Sequence, residues 1–378
     1  MRSCLIISVI AILASCTGRQ GNSNMTAEAD TSAVSFAQYL SIKGDTITST
    51  SSWDGVNLVK ESYHLVPRDC TTLLKSDVYA IPYPIESCVA MSTTYLPHLK
   101  LLGAVETVKA ASGTRFIYDS EFSRRVQEGL IADIGAETAP DYEQIISLGC
   151  DVILSYGIAG SDNSYIEKLR RLGQKVLIIN DYLESSPMAR LEYLKLFGAL
   201  TGKRAEADSI FAAKESAYNS VALDCKKFME GKERTKVLIN IPFKDVWYLP
   251  GEESYIAKLI SDAGGTLLGA AKGESSSTRE SFEKMYSLAL QADVWLNQNS
   301  VSKASELSAE NPMFKNIPCF KSGMLFNNIK RVTPKGGSDF WESGAVNPEV
   351  ILSDLIKIFH HDRFAEEDAE LYYYIHLE

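Results

Sequence analysis

Five histidines, His64, His98, His360, His361 and His376, are the whole imidazole supply of the 378 residues. A site for a bare zinc or manganese ion needs several His and carboxylate ligands converging on one point. Here His64 sits in an early strand pattern, His98 beside a loop, and the other three near the C terminus. His98 alone stands where one axial ligand for a haem or cobalt centre could serve, a role weighed against that of an ordinary helix-surface histidine. Catalytic signatures are missing: no HExxH, no GxxxxGK[ST], no GxSxG and no convincing Ser/His/Asp set. Glu252-Glu253 reads as the solvated start of a helix, where negative charge favours the dipole, rather than as an acid/base pair. These residues predict no enzyme, no resident cofactor and no bare-metal site.

The N terminus offers a different chemistry. Arg2 precedes an apolar run over 5–13, broken only by Ser8, then Ala14, Ser15 and Cys16. That run falls well short of the roughly 20 residues of a membrane-spanning helix and fits a secretory signal. Leu13-Ala-Ser-Cys16 resembles the lipobox of bacterial lipoproteins. The resemblance implies cleavage before Cys16, lipidation of Cys16, and a polar tether over 17–32 that holds an exported protein at a membrane face of the cell envelope. Of the later cysteines, Cys88 and Cys150 read as buried strand positions, where a thiol packs as a small hydrophobe. A single disulfide among Cys70, Cys225 and Cys319 stays open.

The 48 acidic and 38 basic residues give a net charge of −10, or −11 once Arg2, the only charge before Cys16, is removed. An acidic surface without a Lys/Arg cluster argues against nucleic acid as a partner. The mature length exceeds what one core usually holds, so two domains are expected.

The elements that would position any site come as a two-part repeat. An apolar strand over 87–91 leads to Tyr95-Leu-Pro-His-Leu99 and Leu102-Gly103; a strand over 236–241 leads to Tyr255-Ile-Ala-Lys-Leu259 and Ala263-Gly264. Tyr and Leu four apart share a helix face, and glycine ends the element. Further on, Glu143-Gln-Ile-Ile-Ser-Leu148 feeds Asp151-Val-Ile-Leu-Ser155, and Glu283-Lys-Met-Tyr-Ser-Leu288 feeds Asp293-Val-Trp-Leu-Asn297. Helices feeding short, continuously apolar strands predict parallel sheets covered on both faces. Between the copies, 187–229 carries Leu191, Leu194, Phe197 and Leu200 at helical spacing, with Gly198 and Gly202 as points of interruption; it reads as a stiff amphipathic connector. Residues 34–67 read as an antiparallel meander whose first stretch, 35–40, has a helical alternative. The Tyr372-Tyr373-Tyr374 tail has no assigned role.

Several of these strings resemble periplasmic binding proteins for iron-siderophores, haem and cobalamin. They are Ser92-Thr93-Thr94 after a first strand, Pro140-Asp-Tyr-Glu143 through Leu148 with Asp151-Val-Ile-Leu, Tyr255 through Gly265, and Asn347-Pro-Glu-Val-Ile-Leu. The likeness runs over 78–359, departing at Gly149-Cys150 where the family usually has a proline. It implies an α/β fold of two Rossmann-like lobes with central parallel sheets, joined by one long helix, with the binding cleft between them. The chain then divides into a signal peptide (1–15), tether (16–33), first lobe (34–186), connecting helix (187–230), second lobe (231–365) and acidic tail (366–378). It further implies a monomer that carries a metal chelate (siderophore, corrinoid or haem) to an ABC permease with its ATPase.

Ligands of open parallel sheets bind beyond the carboxyl ends of the strands. The residues expected there are Thr93, Thr94, Tyr95, Tyr156, Gly157, Trp247, Tyr248, Asn297 and Trp341, a set rich in aromatics and amides and poor in charge. Tyr95 fits helix packing equally well. Trp247 and Trp341 follow strands and are assigned to the pocket, whereas Trp295 reads as core and Trp53 as structural. Family members present one acid per lobe to the permease. The matching position in the second lobe is Glu342; in the first it is Asn163, with Asp162 beside it as substitute. Simple solvation is the competing account of both acids. Two readings from other classes stay open: an exported enzyme acting on a chelate, and a surface accessory of an outer-membrane receptor.

Overall fold

The computed structural model describes residues 34–51, 58–136, 139–157, 163–364 and 370–378. The signal segment, Cys16 and its tether, Trp53 and Asp162 lie outside the described residues. In the first lobe five strands lie in the spatial order Val176–Ile178, Val152–Ser155, Cys88–Ala90, Val108–Ala111 and Ala132–Asp133, every pairing parallel. Numbered along the chain this is the doubly wound order 3-2-1-4-5. Successive side chains leave a strand on opposite faces. Cys88, Ala90, Val152 and Leu154 therefore fill one core, while Val89, Ile153, Val176 and Ile178 fill another. Both faces are buried, so the strands read as unbroken apolar runs.

The second lobe orders Gly265–Leu267, Thr235–Ile239, Val294–Leu296 and Leu325–Asn327 in parallel and adds Ile375–His376 antiparallel at the edge. The final residues are thus part of this lobe and not an acidic tail. Tyr373 and Tyr374 are buried in its core, and the Asp354 carboxylate accepts the backbone N–H groups of Tyr372 and Tyr373 at 2.8 and 2.7 Å.

The repeat has the same physical basis in both lobes. Asp141 and Ser281 cap the helices Tyr142–Leu148 and Phe282–Ala289 by accepting the N–H of Gln144 and Lys284. Asp151 and Asp293, each just ahead of a strand, accept backbone N–H groups at the start of the neighbouring strand, from Glu86 at 2.6 Å and Lys236 at 2.8 Å. Glycines in the left-handed region, Gly103 and Gly264, end the packing helices.

The meander forms as Leu40–Lys43, Thr46–Ser51 and Val59–Pro67, antiparallel, with Ala80–Tyr83 added in parallel. Residues 35–39 are not helical. Their backbone N–H groups are taken up by two buried carboxylates, Ser35, Phe36 and Ala37 by Glu192, and Gln38 and Tyr39 by Glu184. Three helices make the connector: Pro187–Leu191, Tyr193–Thr201 and the long Arg204–Phe228. Gly202, at φ 73°, breaks the run, and Gly198 lets the two longer helices touch, since a Cβ there would lie 2.5 Å from the Ala207 methyl. The five cysteines of the described residues are all free thiols.

Candidate functional site: a cleft at two topological switch points

A doubly wound sheet opens a crevice where its strand order reverses. In the first lobe that point lies between Cys88–Ala90 and Val152–Ser155, which sets Ser92 and Thr93 beside Tyr156 and Gly157. A cavity of about 630 Å³ occupies it, with Thr93, Ser112, Arg115, Phe116 and Tyr156 in its wall. The Ser92 hydroxyl accepts the Thr94 N–H at 3.3 Å. Tyr182 donates its hydroxyl to the Gly157 carbonyl and stands edge-on to Tyr156, ring centroids 6.3 Å apart.

The second lobe reverses order between Thr235–Ile239 and Val294–Leu296, where Asn240 and Asn297 emerge. Among the described residues the non-glycine residues with left-handed φ are Asn240, Lys244, Asn297 and Asn299. All four follow these two strands. Backbone strain of this kind persists only where the surroundings hold it, and it concentrates at binding sites. The hold is visible: Asn240 donates its side-chain amide to the Tyr248 carbonyl at 2.9 Å, and the Trp295 indole donates to the Asn240 carbonyl at 2.7 Å.

The lobes meet beside the cleft. Gly337 backs onto the Phe116 carbonyl so closely that a Cβ would collide with it. Arg331 pairs with Asp339 at 2.5 Å and lies over the rings of Tyr118 and Tyr372.

Residues 89–327 match the family model described as periplasmic binding protein. The chain belongs to that family. It is 24% identical over 318 residues to an uncharacterized lipoprotein of Methanocaldococcus jannaschii, covering 81% of this chain and 73% of the relative. Its fold is similar to that of a periplasmic heme binding protein from Pseudomonas aeruginosa (TM-score 0.57, 15% identity, 73% of this chain and 93% of that one). It is also similar to the triscatecholate siderophore binding protein of Bacillus subtilis in complex with ferri-bacillibactin (TM-score 0.56, 18% identity, 76% and 96%).

Within this periplasmic binding protein the residues expected at the site part company. Thr93, Thr94, Tyr156 and Gly157 stand at the first-lobe strand ends just described, whereas Asn297, at the second-lobe strand end, is buried. Tyr248 and Trp341 keep 40% and 48% of their surface exposed. Trp247 does not stand in a loop. It occupies the strand Val246–Leu249, fully buried, donates its indole N–H to the Ile239 carbonyl at 2.8 Å and packs against Trp295. Alternation along that strand turns Trp247 and Leu249 inward and Tyr248 outward. Tyr95 is buried against Phe197 in the first-lobe core.

His98 is also interior. It stacks on Phe197 at 4.7 Å, its Nδ1 meets the Thr94 carbonyl at 3.2 Å, and burial pushes its pKa down to about 4. An axial ligand would have to face the cleft, and this ring faces the core.

Glu342 is buried as well, so it cannot present a charge to a permease. Its carboxylate accepts the Tyr118 and Asp119 backbone N–H groups across the lobe junction at 2.9 and 2.8 Å. Burial pushes its pKa up to about 7 despite those two donors. Among the described residues no group of three or more His, Cys, Asp and Glu side chains is placed to hold a metal ion.

Arg115, Phe116, Tyr182 and Phe243 escaped notice in the sequence. Each follows a strand of its lobe's sheet, as Thr93 does, so the carboxyl ends of those strands are the signal in the sequence that points to them.

Proposed function

We propose that this chain is the lipid-anchored solute-binding component of an ABC importer, capturing a metal chelate, with a ferric siderophore as first choice, and handing it to the permease. The observation that carries the reading is the cleft itself. It offers the Phe116 and Tyr156 rings and the Thr93 and Ser112 hydroxyls in the first lobe and an exposed Tyr248 ring in the second, and among the described residues no cluster of metal ligands. Such a wall suits a cargo that brings its own metal shell. The haem and triscatecholate chelates named for the Pseudomonas and Bacillus proteins of the same fold support it. Haem or a corrinoid would use the same aromatic faces and forms the second reading. The Leu13-Ala-Ser-Cys16 string and the archaeal lipoprotein relative support the anchor.

Absorption and intrinsic fluorescence titrations of the mature protein with a ferric tris(catecholate), a ferric tris(hydroxamate), haemin and cyanocobalamin test the cargo. Saturable binding of one of them is expected; binding of none sinks the chelate reading. Cys16→Ser should shift the protein from membrane to soluble fraction, because stable attachment needs more than one acyl chain.

A further inference from the structure

One wall of the first-lobe cavity is held from the other lobe. Phe116 lines that cavity within residues 113–119, the segment between the strand Val108–Ala111 and the helix Ser120–Gln127. The first lobe secures the inner side of this segment. Ile117 is buried, the Phe116 N–H closes a turn on the Gly113 carbonyl at 2.8 Å, and the Thr114 hydroxyl meets Asp133 at 2.5 Å. The second lobe secures the outer side at three points. Glu342 accepts the Tyr118 and Asp119 N–H groups at 2.9 and 2.8 Å, the Arg331 guanidinium lies 5.2 Å from the Tyr118 ring centroid, and Gly337 abuts the Phe116 carbonyl.

The loop that supplies these contacts is itself tied together. Within 331–342 the Thr333 N–H donates to the Gly337 carbonyl at 2.7 Å, and the Gly337 N–H returns to the Thr333 hydroxyl at 2.9 Å. The Asp339 N–H donates to the Arg331 carbonyl at 2.9 Å. Phe340 plants the loop in the second-lobe core, edge-on to Tyr373 and Tyr374. The charged neighbours of Glu342 have their own partners: Asp339 pairs with Arg331 at 2.5 Å, and Asp119 with Lys100 at 2.5 Å while it caps its helix.

A backbone N–H taken out of water needs an acceptor, and leaving it without one costs more than an ordinary hydrogen bond contributes. A buried carboxylate that receives two successive amides therefore fixes the backbone carrying them and the residues just before it. Phe116 is the residue that gains. Its ring is 39% exposed, so packing within its own lobe holds it only in part.

Resting on the chelate-binding role proposed above, we infer that Glu342, Arg331 and Gly337 are positioning residues for the first-lobe cavity, through which the second lobe sets where Phe116 meets the ligand. The cavity wall is made of other residues, so the three act through the segment they hold. The first-lobe half of the cleft is then complete only when the lobes are joined.

The test uses the mature protein with Glu342→Ala, which removes both acceptors, and with Gly337→Ala, whose Cβ would lie 2.2 Å from the Phe116 carbonyl oxygen. Backbone amide exchange should quicken over 113–119 in Glu342→Ala and stay native over the central strands 88–90 and 152–155. Ligand titrations use a ferric tris(catecholate), a ferric tris(hydroxamate), haemin and cyanocobalamin. Whichever of them the native protein binds should bind each variant at least about tenfold more weakly. Phe116→Ala should itself weaken binding, and adding Glu342→Ala to it should cost nothing further, because the two changes act through one segment. Additive losses, or native exchange over 113–119, overturn the positioning role. Glu342→Gln, which keeps one acceptor oxygen, carries the same comparison if Glu342→Ala does not fold. Should no compound bind, the proposed function fails, and the exchange measurement by itself decides whether the second lobe holds this wall.

Discussion

The Glu342 carboxylate of the second lobe receives the Asp119 backbone N–H of the first at 2.8 Å, and the Tyr118 N–H just before it at 2.9 Å. Asp119 in turn caps the helix Ser120–Gln127 by accepting from Glu121 and Phe122. One buried acid thus ties a loop of one lobe to a helix start of the other, and the tie responds to pH.

Burial raises the Glu342 pKa from 4.5 to about 7. The folded state holds this proton more tightly than the unfolded chain does. Its contribution is therefore fully present below about 4.5 and is lost as pH rises through about 7. The stability difference between the native protein and Glu342→Gln should change across that window by up to about 3 kcal/mol. Parallel unfolding profiles from pH 4 to 8 would refute the buried, proton-linked contact.

His98 carries the opposite sign. Burial lowers its pKa from 6.5 to about 4, so its contribution is present above 6.5 and lost as pH falls toward 4. His98→Asn, which can still donate to the Thr94 carbonyl, should lose less stability on acidification than the native protein. It should also leave the absorption spectrum of any bound haemin or cyanocobalamin unchanged. A shifted ligand spectrum would return His98 to the metal.

Two tryptophans should behave in opposite ways. Trp247 is enclosed by Trp295 and Phe314, and Trp247→Ala is expected to cost about 3–5 kcal/mol of folding stability. Trp341 is half exposed, so Trp341→Ala should leave the melting temperature nearly unchanged and weaken chelate binding. Denaturant unfolding and ligand titration on both variants separate the two roles, and a large stability loss for Trp341→Ala would place it in the core.

Ligand-driven closure should be small. The Arg204–Phe228 helix packs against Tyr193–Thr201 on one side and Pro348–Phe359 on the other, and Lys214 bonds Asn347 and Glu349 at 2.6 and 2.9 Å. Small-angle scattering should show nearly the same radius of gyration with and without the bound chelate; a marked fall on binding contradicts a rigid connector.

The sequence by itself determined what local physics writes. Asp141 and Ser281 announce helix starts, Gly103 and Gly264 helix ends, and the apolar runs at 152–155 and 294–296 strands buried on both faces. Each signal depends on residues a few positions apart, so two βα lobes and the strand ends that carry Thr93, Tyr156 and Asn297 could be read directly. The broken connector was visible in Gly202 for the same reason. Tertiary structure alone decided which side chains reach the cleft. Trp247 and Tyr248 are neighbours in sequence, yet the pairing of their strand with Thr278–Ser281 turns one into the core and leaves the other exposed. Glu342 looked like a surface acid because its partners, Tyr118 and Asp119, are more than 220 positions away. The terminal tyrosines had no reading because Ile375–His376 finds its partner strand some 50 residues back. Burial and pairing are properties of contacts between distant segments, and no window of neighbouring residues encodes them.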